Sequence, residues 1–177
     1  MTLAQWIVAA VAVQRLAELL YGRRNERRLR AAGAVEVGAS HYPLIVALHV
    51  AWLAALMAAA GTAEISWPLM ALFGLLQVLR LWILLTLGRY WTTRILTLPG
   101  APLVVRGPYR FCRHPNYLVV AAEIAVLPLA LGAWRMALAF SLLNGILLAW
   151  RIRVEDQALA ARRHAAHASA GRPACQG

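Results

Sequence analysis

Five stretches of this 177-residue chain are apolar enough to lie in a membrane, and they restrict what it can fold into. Hydrophobic residues make up 62% of the sequence, against roughly 45–50% in a soluble domain. A membrane-spanning helix needs about 20 apolar residues, with a range of roughly 17–25. The stretches cover residues 2–21, 43–60, 67–88, 117–131 and 134–150. We therefore expect an all-α polytopic membrane protein with about five transmembrane helices, of which helices 4 and 5 form a short hairpin.

The distribution of arginine predicts the orientation of these helices. All 18 basic residues are arginine, and 15 of them lie in three segments, 23–30, 89–113 and 151–172. These segments share one side of the membrane whether the hairpin of helices 4 and 5 crosses it or re-enters the same face, and only Arg135 falls in the opposite loops. Cytoplasmic loops carry an excess of basic residues. The N-terminus is therefore expected outside and the C-terminus in the cytosol.

Residues 106–117 form a compact basic and aromatic run between two apolar stretches. Proline disfavours the helical region for the residue before it, so His114 should be extended and Pro115 should begin a helix. Free N–H groups at that helix start, together with Arg110 and Arg113, suit a carboxylate or phosphate. The alternative is that arginine and tyrosine here only mark the membrane interface.

A second charged segment, residues 151–156, follows the last apolar stretch. Arg151 and Glu155 are spaced i,i+4 and can pair on one helix face, as in an ordinary solvated helix end. The other interpretation is that Arg153 and an acid of the Glu155–Asp156 pair project over a pocket shared with residues 106–117. The spacing alone leaves both interpretations open.

Several polar residues interrupt the apolar stretches. Ionisable groups at membrane depth are costly and usually face the protein interior. Glu123 shares a helix face with Asn116 and Val120, and we predict that it lies below the basic run and pairs with Arg80. The other residues of this kind are Gln14, Arg15, Glu18, His49, Gln77 and Asn144.

The net charge of +11 raises the possibility of a nucleic-acid partner, but the arginines are dispersed among membrane turns. The sequence contains no glycine-rich phosphate loop or dinucleotide fingerprint. It also has no His/Cys cluster with the spacing of metal ligands. We therefore expect neither a nucleic-acid partner nor a metal. A non-catalytic membrane protein whose arginines bind anionic lipid remains an alternative to an enzyme.

The segment from Gly107-Pro108-Tyr109-Arg110 into Arg113-His114-Pro115-Asn116-Tyr117, followed after a hairpin by Arg153-Val154-Glu155-Asp156, resembles the isoprenylcysteine carboxyl methyltransferase family of integral membrane enzymes. More distantly it is similar to phospholipid methyltransferases. The runs 41–44 and 91–94 resemble a bacterial branch of the family, which implies the bacterial inner membrane with a site facing the cytosol. The resemblance implies one domain over residues 1–177, with a cofactor-binding core at about 89–160 and a flexible tail at 161–177.

The same resemblance implies S-adenosylmethionine as cofactor and assigns roles to individual residues. Leu103 and Val104 would line the cofactor pocket. Arg153 would face the substrate, and an acid of the pair Glu155 and Asp156 would touch the cofactor. The residues expected to contact the cofactor are Tyr109, His114, Pro115, Asn116 and Tyr117.

The expected activity is methyl transfer to an oxygen of a lipophilic small molecule. A hydroxyl of a long-chain alkylpyrone or alkylresorcinol is the preferred acceptor, since some bacterial relatives act on such compounds. Methyl esterification of an isoprenylcysteine carboxyl and N-methylation of a phospholipid are the alternative reactions. Membrane lipid is the other expected partner, and the sequence does not indicate the oligomeric state.

Overall fold

The computed structural model describes residues 1–98, 100–101 and 104–170, with the side chains of residue 159 and of residues 161–170 left out. Five α-helices account for most of this part of the chain. They are α1 (Leu3–Ala31), α2 (Tyr42–Ala59), α3 (Trp67–Leu87), α4 (Pro115–Ala130) and α5 (Trp134–Ala170). Two short strands, β1 (Val35–Glu36) and β2 (Leu96–Thr97), pair antiparallel. The predicted helical fold is present, and the strand pair is an addition that the sequence did not reveal.

Local signals in the sequence set where the helices begin. Thr2 caps α1 with a capping box. Its hydroxyl accepts a hydrogen bond from the Gln5 N–H, and the Thr2 N–H donates to the Gln5 side-chain oxygen. Proline occupies the first turn of α2, α3 and α4, where its missing N–H costs nothing. The predicted start of a helix at Pro115 is confirmed.

Among the described residues, four helices are long and apolar enough to cross a membrane, against about five expected. They are α1, α2, α3 and α5, and each contains an apolar segment of 18 residues with at most two charged side chains. With 16 residues, α4 is shorter than an ordinary span. It turns directly into α5 through Gly132, whose φ of +72° only glycine adopts readily. The two helices form the predicted hairpin, but with unequal arms, since α5 runs for 37 residues.

Two helices also extend beyond the apolar stretches from which they were predicted. Helix α1 continues ten residues past Tyr21 through the first arginine cluster, because arginine, leucine and alanine favour helix and no proline intervenes. Helix α5 passes through Arg151 without a break, so that the charged segment 151–156 belongs to the same helix as the last apolar stretch. Both extensions bring charged side chains to one end of the bundle, called here the arginine-rich end.

A charged cluster lies inside the bundle between α1, α3 and α4. The Arg80 guanidinium donates to both carboxylate oxygens of Glu18 at 2.7 and 2.6 Å and to Glu123 at 3.0 Å. Arg15 lies 2.9 Å from each of the same two carboxylates. Gln77 joins the cluster by donating to Glu123 at 2.8 Å. The predicted pairing of Arg80 with Glu123 is confirmed, and the four charges balance.

Apolar packing surrounds this buried charge cluster on both sides. Toward the far end of the bundle the core consists of side chains from α1, α2, α3 and α4, which include Val8, Trp52, Leu56, Phe73 and Leu127. A smaller group, Leu76, Ile83 and Val119, packs between α3 and α4 at the arginine-rich end. Tyr109 and Leu87 lie against that smaller group, so the loop before α4 rests on a fixed apolar base.

Removing Arg80 should destabilise the protein more than removing an exposed arginine. Arg80→Met leaves two buried carboxylates facing a single cation, and breaking a buried ion pair costs about 3 kcal/mol or more. For a chain of this size, that corresponds to a fall of roughly 10 °C in Tm. Thermal unfolding in detergent would measure it. The matched control is Arg24→Met, which removes an exposed arginine of α1. Equal Tm values for the two variants would contradict a stabilising role for the cluster.

Candidate functional site

A cavity of about 290 Å³ lies at the arginine-rich end, between the end of α1, the loop before α4, and helices α4 and α5. Its walls differ in character. One wall is polar and comes from the loop before α4, the start of α4 and α5. It comprises Tyr109, Arg113, His114, Asn116, Tyr117, Arg151 and Glu155. The opposite wall is largely apolar and comes from the end of α1 and the chain that follows α3. It includes Leu29, Ala34, Trp91, Ile95, Leu96 and Leu98.

The polar wall depends on a tight turn at Gly107. This glycine has φ of +57°, and a Cβ placed on it would lie 2.6 Å from the Thr86 hydroxyl oxygen at the end of α3. The single turn that follows, Gly107–Arg110, brings Tyr109 against the apolar base. His114 is non-helical, with φ −128° and ψ 54°, and Pro115 then starts α4. The chain therefore enters α4 with His114 and Asn116 both on the cavity.

The start of α4 is tied to α5 through Tyr117. Its hydroxyl donates to the Glu155 carboxylate and accepts from Arg151 Nε at 2.9 Å. Arg151 also donates through Nη2 to the backbone carbonyl of Thr93 at 2.8 Å, so it reaches the opposite wall as well. The sequence spacing allowed Arg151 and Glu155 to pair directly. In the structure, both bind the Tyr117 hydroxyl.

His114 makes a second tie to α5. Its Nε2 lies 3.3 Å from Asp156 Oδ1, and its ring stacks on the Tyr117 ring at 5.5 Å with an interplanar angle of 15°. Glu155 thus holds Tyr117 on the cavity and also lies 4.0 Å from His114 Nδ1, while Asp156 contacts His114 through Nε2. Each acid orients an aromatic ring of the polar wall.

Most of the residues predicted from the sequence meet at this cavity. Val104, Tyr109, His114, Asn116, Tyr117 and Glu155 line it. Pro115 is buried behind them, and Asp156 touches the wall through His114. Leu103 lies outside the described residues.

Arg153 is the exception among the predicted residues, since it is exposed and the described cavity is lined by Arg151 instead. Two residues along a helix rotate a side chain by about 200°, so Arg151 and Arg153 occupy opposite faces. The sequence carried one signal for Arg151, which shares a stripe of α5 with Asn144, and both are buried. A role for Arg153 toward a substrate remains a prediction.

Two polar atoms on the cavity are buried and have no hydrogen-bond partner among the described residues. One is the Asn116 side-chain oxygen Oδ1, an acceptor, on the polar wall. The other is the Trp91 indole Nε1, a donor, on the apolar wall. Buried polar groups in native proteins are normally paired, and an unpaired one loses its hydration without replacement. The same state is found in the apolar core, where Trp52 Nε1 is also unpaired, but Asn116 and Trp91 are the unpaired residues that line the described cavity.

The apolar wall is held by interactions that the sequence did not reveal. Asn25 is buried in α1, and its side-chain amide donates to the carbonyls of Gly88 at 3.0 Å and Trp91 at 2.9 Å. Glu36 of β1 binds both Arg94 and Arg30, and Arg94 also lies over the Tyr42 ring at 4.2 Å. Partial burial raises the pKa of Glu36, but the hydrogen bonds from Arg94 and Arg30 outweigh it and hold that pKa below its ordinary value.

Burial raises the pKa of Tyr109 well above its ordinary value, and the negative charge of nearby Glu155 raises it further. Tyr109 is therefore a neutral phenol at any physiological pH. Such a ring offers a flat face and a hydrogen-bond donor, and it carries no charge into the cavity.

Comparison of the chain with known proteins finds one matching family and two similar proteins. The model of the isoprenylcysteine carboxyl methyltransferase (ICMT) family matches residues 67–161. An uncharacterised protein of Bacillus subtilis, YpbQ, is 42% identical over 158 residues, which cover 86% of this chain and 94% of that protein. An uncharacterised protein of Haemophilus influenzae is 27% identical over 157 residues, covering 85% and 91%. No solved structure matches the chain significantly.

The raised pKa of Tyr109 predicts the alkaline behaviour of the protein. Above about pH 10 the unfolded chain loses its phenol protons, but folded Tyr109 keeps its proton. The unfolded state then binds fewer protons than the folded state, so stability falls as pH rises. Tyr109→Phe should flatten this fall. Denaturant unfolding followed from pH 8 to 11 measures the slope, and identical slopes in the two proteins would contradict the assignment.

Proposed function

The chain belongs to the isoprenylcysteine carboxyl methyltransferase family, and from that premise we propose that it is an S-adenosylmethionine-dependent O-methyltransferase acting on a lipophilic small molecule at the membrane. The observation that carries the proposal is the two-sided cavity. Its polar wall is built from the family motif at 107–117 and from α5, and its apolar wall is built from the end of α1 and the chain that follows α3. A charged cofactor and a lipophilic acceptor need a polar and an apolar surface within one cavity.

The polar wall fits the groups of S-adenosylmethionine. Arg113 suits its carboxylate. The buried, unpartnered Asn116 Oδ1 and the Glu155 carboxylate suit its ammonium group. Val104 and the neutral ring of Tyr109 suit its adenine. When bound, the cofactor supplies an electrophilic methyl group on a positively charged sulfur.

Arg151 is the residue we assign to the acceptor oxygen. It is 7% exposed, lines the cavity, and is fixed at two points by the Tyr117 hydroxyl and the Thr93 carbonyl. A fixed cation near a phenolic or enolic hydroxyl favours its anion, which is the better nucleophile. Tyr117 and Glu155 hold this cation in place. Methyl transfer is an in-line displacement, so alignment and exclusion of water supply much of the acceleration.

A hydroxyl of a long-chain alkylpyrone or alkylresorcinol is the acceptor we propose. Such a ring carries an acidic hydroxyl for the arginines and an alkyl chain for the apolar wall. Of the three arginines that line the described cavity, Arg113 and Arg151 on the polar wall oppose the protonated amine of a phospholipid. The carboxylate of an isoprenylcysteine is the second candidate acceptor, because the same arginines suit it. Arg153, exposed two residues after Arg151, stays our candidate for a contact with the part of the substrate outside the cavity.

We propose the bacterial inner membrane as the location, with the arginine-rich end in the cytosol. The excess of arginine at that end supports the assignment. A reporter active only in the cytosol, fused after Gly177, should be active, and the same reporter fused before Met1 should be silent. The opposite result would reverse the topology and separate the cavity from the cytosolic cofactor.

The cofactor assignment predicts binding of S-adenosylhomocysteine. Isothermal titration of purified protein in detergent should give one site, and His114→Ala should weaken it because His114 orients Tyr117. Arg151→Ala should lower turnover at saturating cofactor on the order of a hundredfold, since removing one group that stabilises the developing charge typically costs that much. Arg153→Ala is expected to lower turnover too. The control is Arg135→Ala, an exposed arginine at the opposite end of the bundle.

Absence of both heat and thermal shift with S-adenosylhomocysteine would favour a non-catalytic protein whose arginines bind anionic lipid. The acceptor is tested by mass spectrometry of lipid extracts from cells with and without the protein. A species heavier by one methyl group in the expressing cells supports the activity. Methylation of a carboxylate instead of a ring hydroxyl would select the second candidate.

A further inference from the structure

We propose that the apolar wall binds the methyl acceptor and that the Trp91 indole N–H donates a hydrogen bond to a second, uncharged oxygen on the acceptor ring. The proposal rests on the methyltransferase function proposed above. It specifies how the methyl acceptor is bound, which the residues of the polar wall do not define. The acceptor class is a ring that carries two oxygens, of which one receives the methyl group. Its alkyl chain lies along Leu29, Ala34, Ile95 and Leu98.

Trp91 has the properties of a ligand-binding donor. It is 3% exposed, it lines the cavity, and its Nε1 has no hydrogen-bond partner among the described residues. A buried indole N–H normally finds a partner. A buried donor without a hydrogen-bond partner destabilises the protein, and a ligand that provides an acceptor removes this cost.

The indole is fixed in its orientation from several sides. A Cβ on Gly22 of α1 would lie 3.0 Å from Trp91 Cζ3, so the helix backbone abuts the six-membered ring. The Tyr21 ring stacks on the indole at 6.0 Å, and Asn25 holds the Trp91 carbonyl at 2.9 Å. Cζ3 and Nε1 lie on opposite edges of an indole, so the N–H edge points away from Gly22. The ring therefore cannot turn to pair its N–H elsewhere, and the donor is preorganised.

The charge of the apolar wall favours an uncharged oxygen. Arg94 is the arginine on this wall, and it is paired with Glu36 and Glu26. Its charge is compensated within the protein, so a neutral N–H in apolar surroundings is what this wall offers. A carbonyl, ether or un-ionised hydroxyl oxygen pairs with such a donor, whereas a carboxylate would lose hydration without gaining a cation.

Arg151 reaches the segment that carries Trp91. Its guanidinium binds the carbonyl of Thr93, two residues after Trp91. In the proposed arrangement, one ring presents its reacting oxygen to Arg151 and its second oxygen to Trp91. A single-oxygen ring would satisfy one of these groups and leave the other unpaired. Rejection of an analogue that lacks the second oxygen is the expected result, because unpaired buried groups are the usual source of such selectivity.

The residues that shape this wall lie partly outside the segment shared with the family. Gly22, Asn25, Leu29 and Ala34 precede residue 67, where the family match begins. The polar wall lies within that match. Recognition of the acceptor is thus assigned to the end of α1 and to residues 91–98.

The test compares two probes on protein saturated with S-adenosylhomocysteine. These are 5-pentylresorcinol, which has two ring oxygens, and 3-pentylphenol, which has one. Wild type should bind the resorcinol more tightly by roughly fivefold, the contribution of one hydrogen bond. Trp91→Phe keeps the ring but removes the N–H, and should abolish that preference while leaving the S-adenosylhomocysteine Kd unchanged. Trp67→Phe, an exposed tryptophan at the start of α3, is the matched control.

A second variant keeps the proposal testable if Trp91→Phe does not fold. Ala34→Leu fills the apolar wall without touching the polar one, so it should weaken 5-pentylresorcinol more than 5-methylresorcinol. Equal binding of the resorcinol and the phenol by wild type, or a preference that survives Trp91→Phe, would overturn the inference. Failure of wild type to bind S-adenosylhomocysteine would instead overturn the proposed function.

Discussion

Arg80 and its two carboxylate partners are the constraint on which the rest of this structure depends. A guanidinium inside a helical bundle with an apolar exterior is tolerable only if its charge is met at short range. Glu18 and Glu123 meet it from two different helices, so α1 and α4 are drawn to fixed positions around α3. Every element of the cavity then follows, since α3 ends in the apolar wall, α4 begins in the polar wall, and α1 carries the residues that close the opposite side.

The Tyr117 hydroxyl has a comparable part at the cavity itself. It bridges Arg151 and Glu155, a cation and an anion on the same helix face, by hydrogen bonds to both. Arg151 thereby keeps a guanidinium edge for Thr93 and for the cavity. Asp156 likewise helps to orient the His114 ring, by contacting its Nε2 atom. The polar wall is consequently a set of oriented charged and aromatic groups, which fits the zwitterionic cofactor we propose.

Sequence patterns predicted the parts of this molecule that depend on local rules. The apolar stretches, the helix start at Pro115 and the Arg80–Glu123 pair follow from hydropathy, proline stereochemistry and the cost of unpaired charge. What the patterns missed depends on helical phase and on distant contacts. Arg153 seemed the better candidate than Arg151 because the motif includes it, but only the angle of α5 decides which of them meets the cavity. Asn25 looked like one polar residue among arginines, and nothing local shows that it binds the loop after α3.

The unbroken course of α5 has a consequence for the length of the protein's last membrane segment. A bilayer accepts spans over a range of several residues, because a helix can tilt to fit. Arg151 is carried on the same rod, and one added or lost residue between Gly132 and Trp150 would turn it by about 100°. The number of residues in this span is therefore set by rotational phase, and the hydrocarbon thickness only bounds it. An insertion that the membrane would accept without difficulty would still point Arg151 away from the cavity.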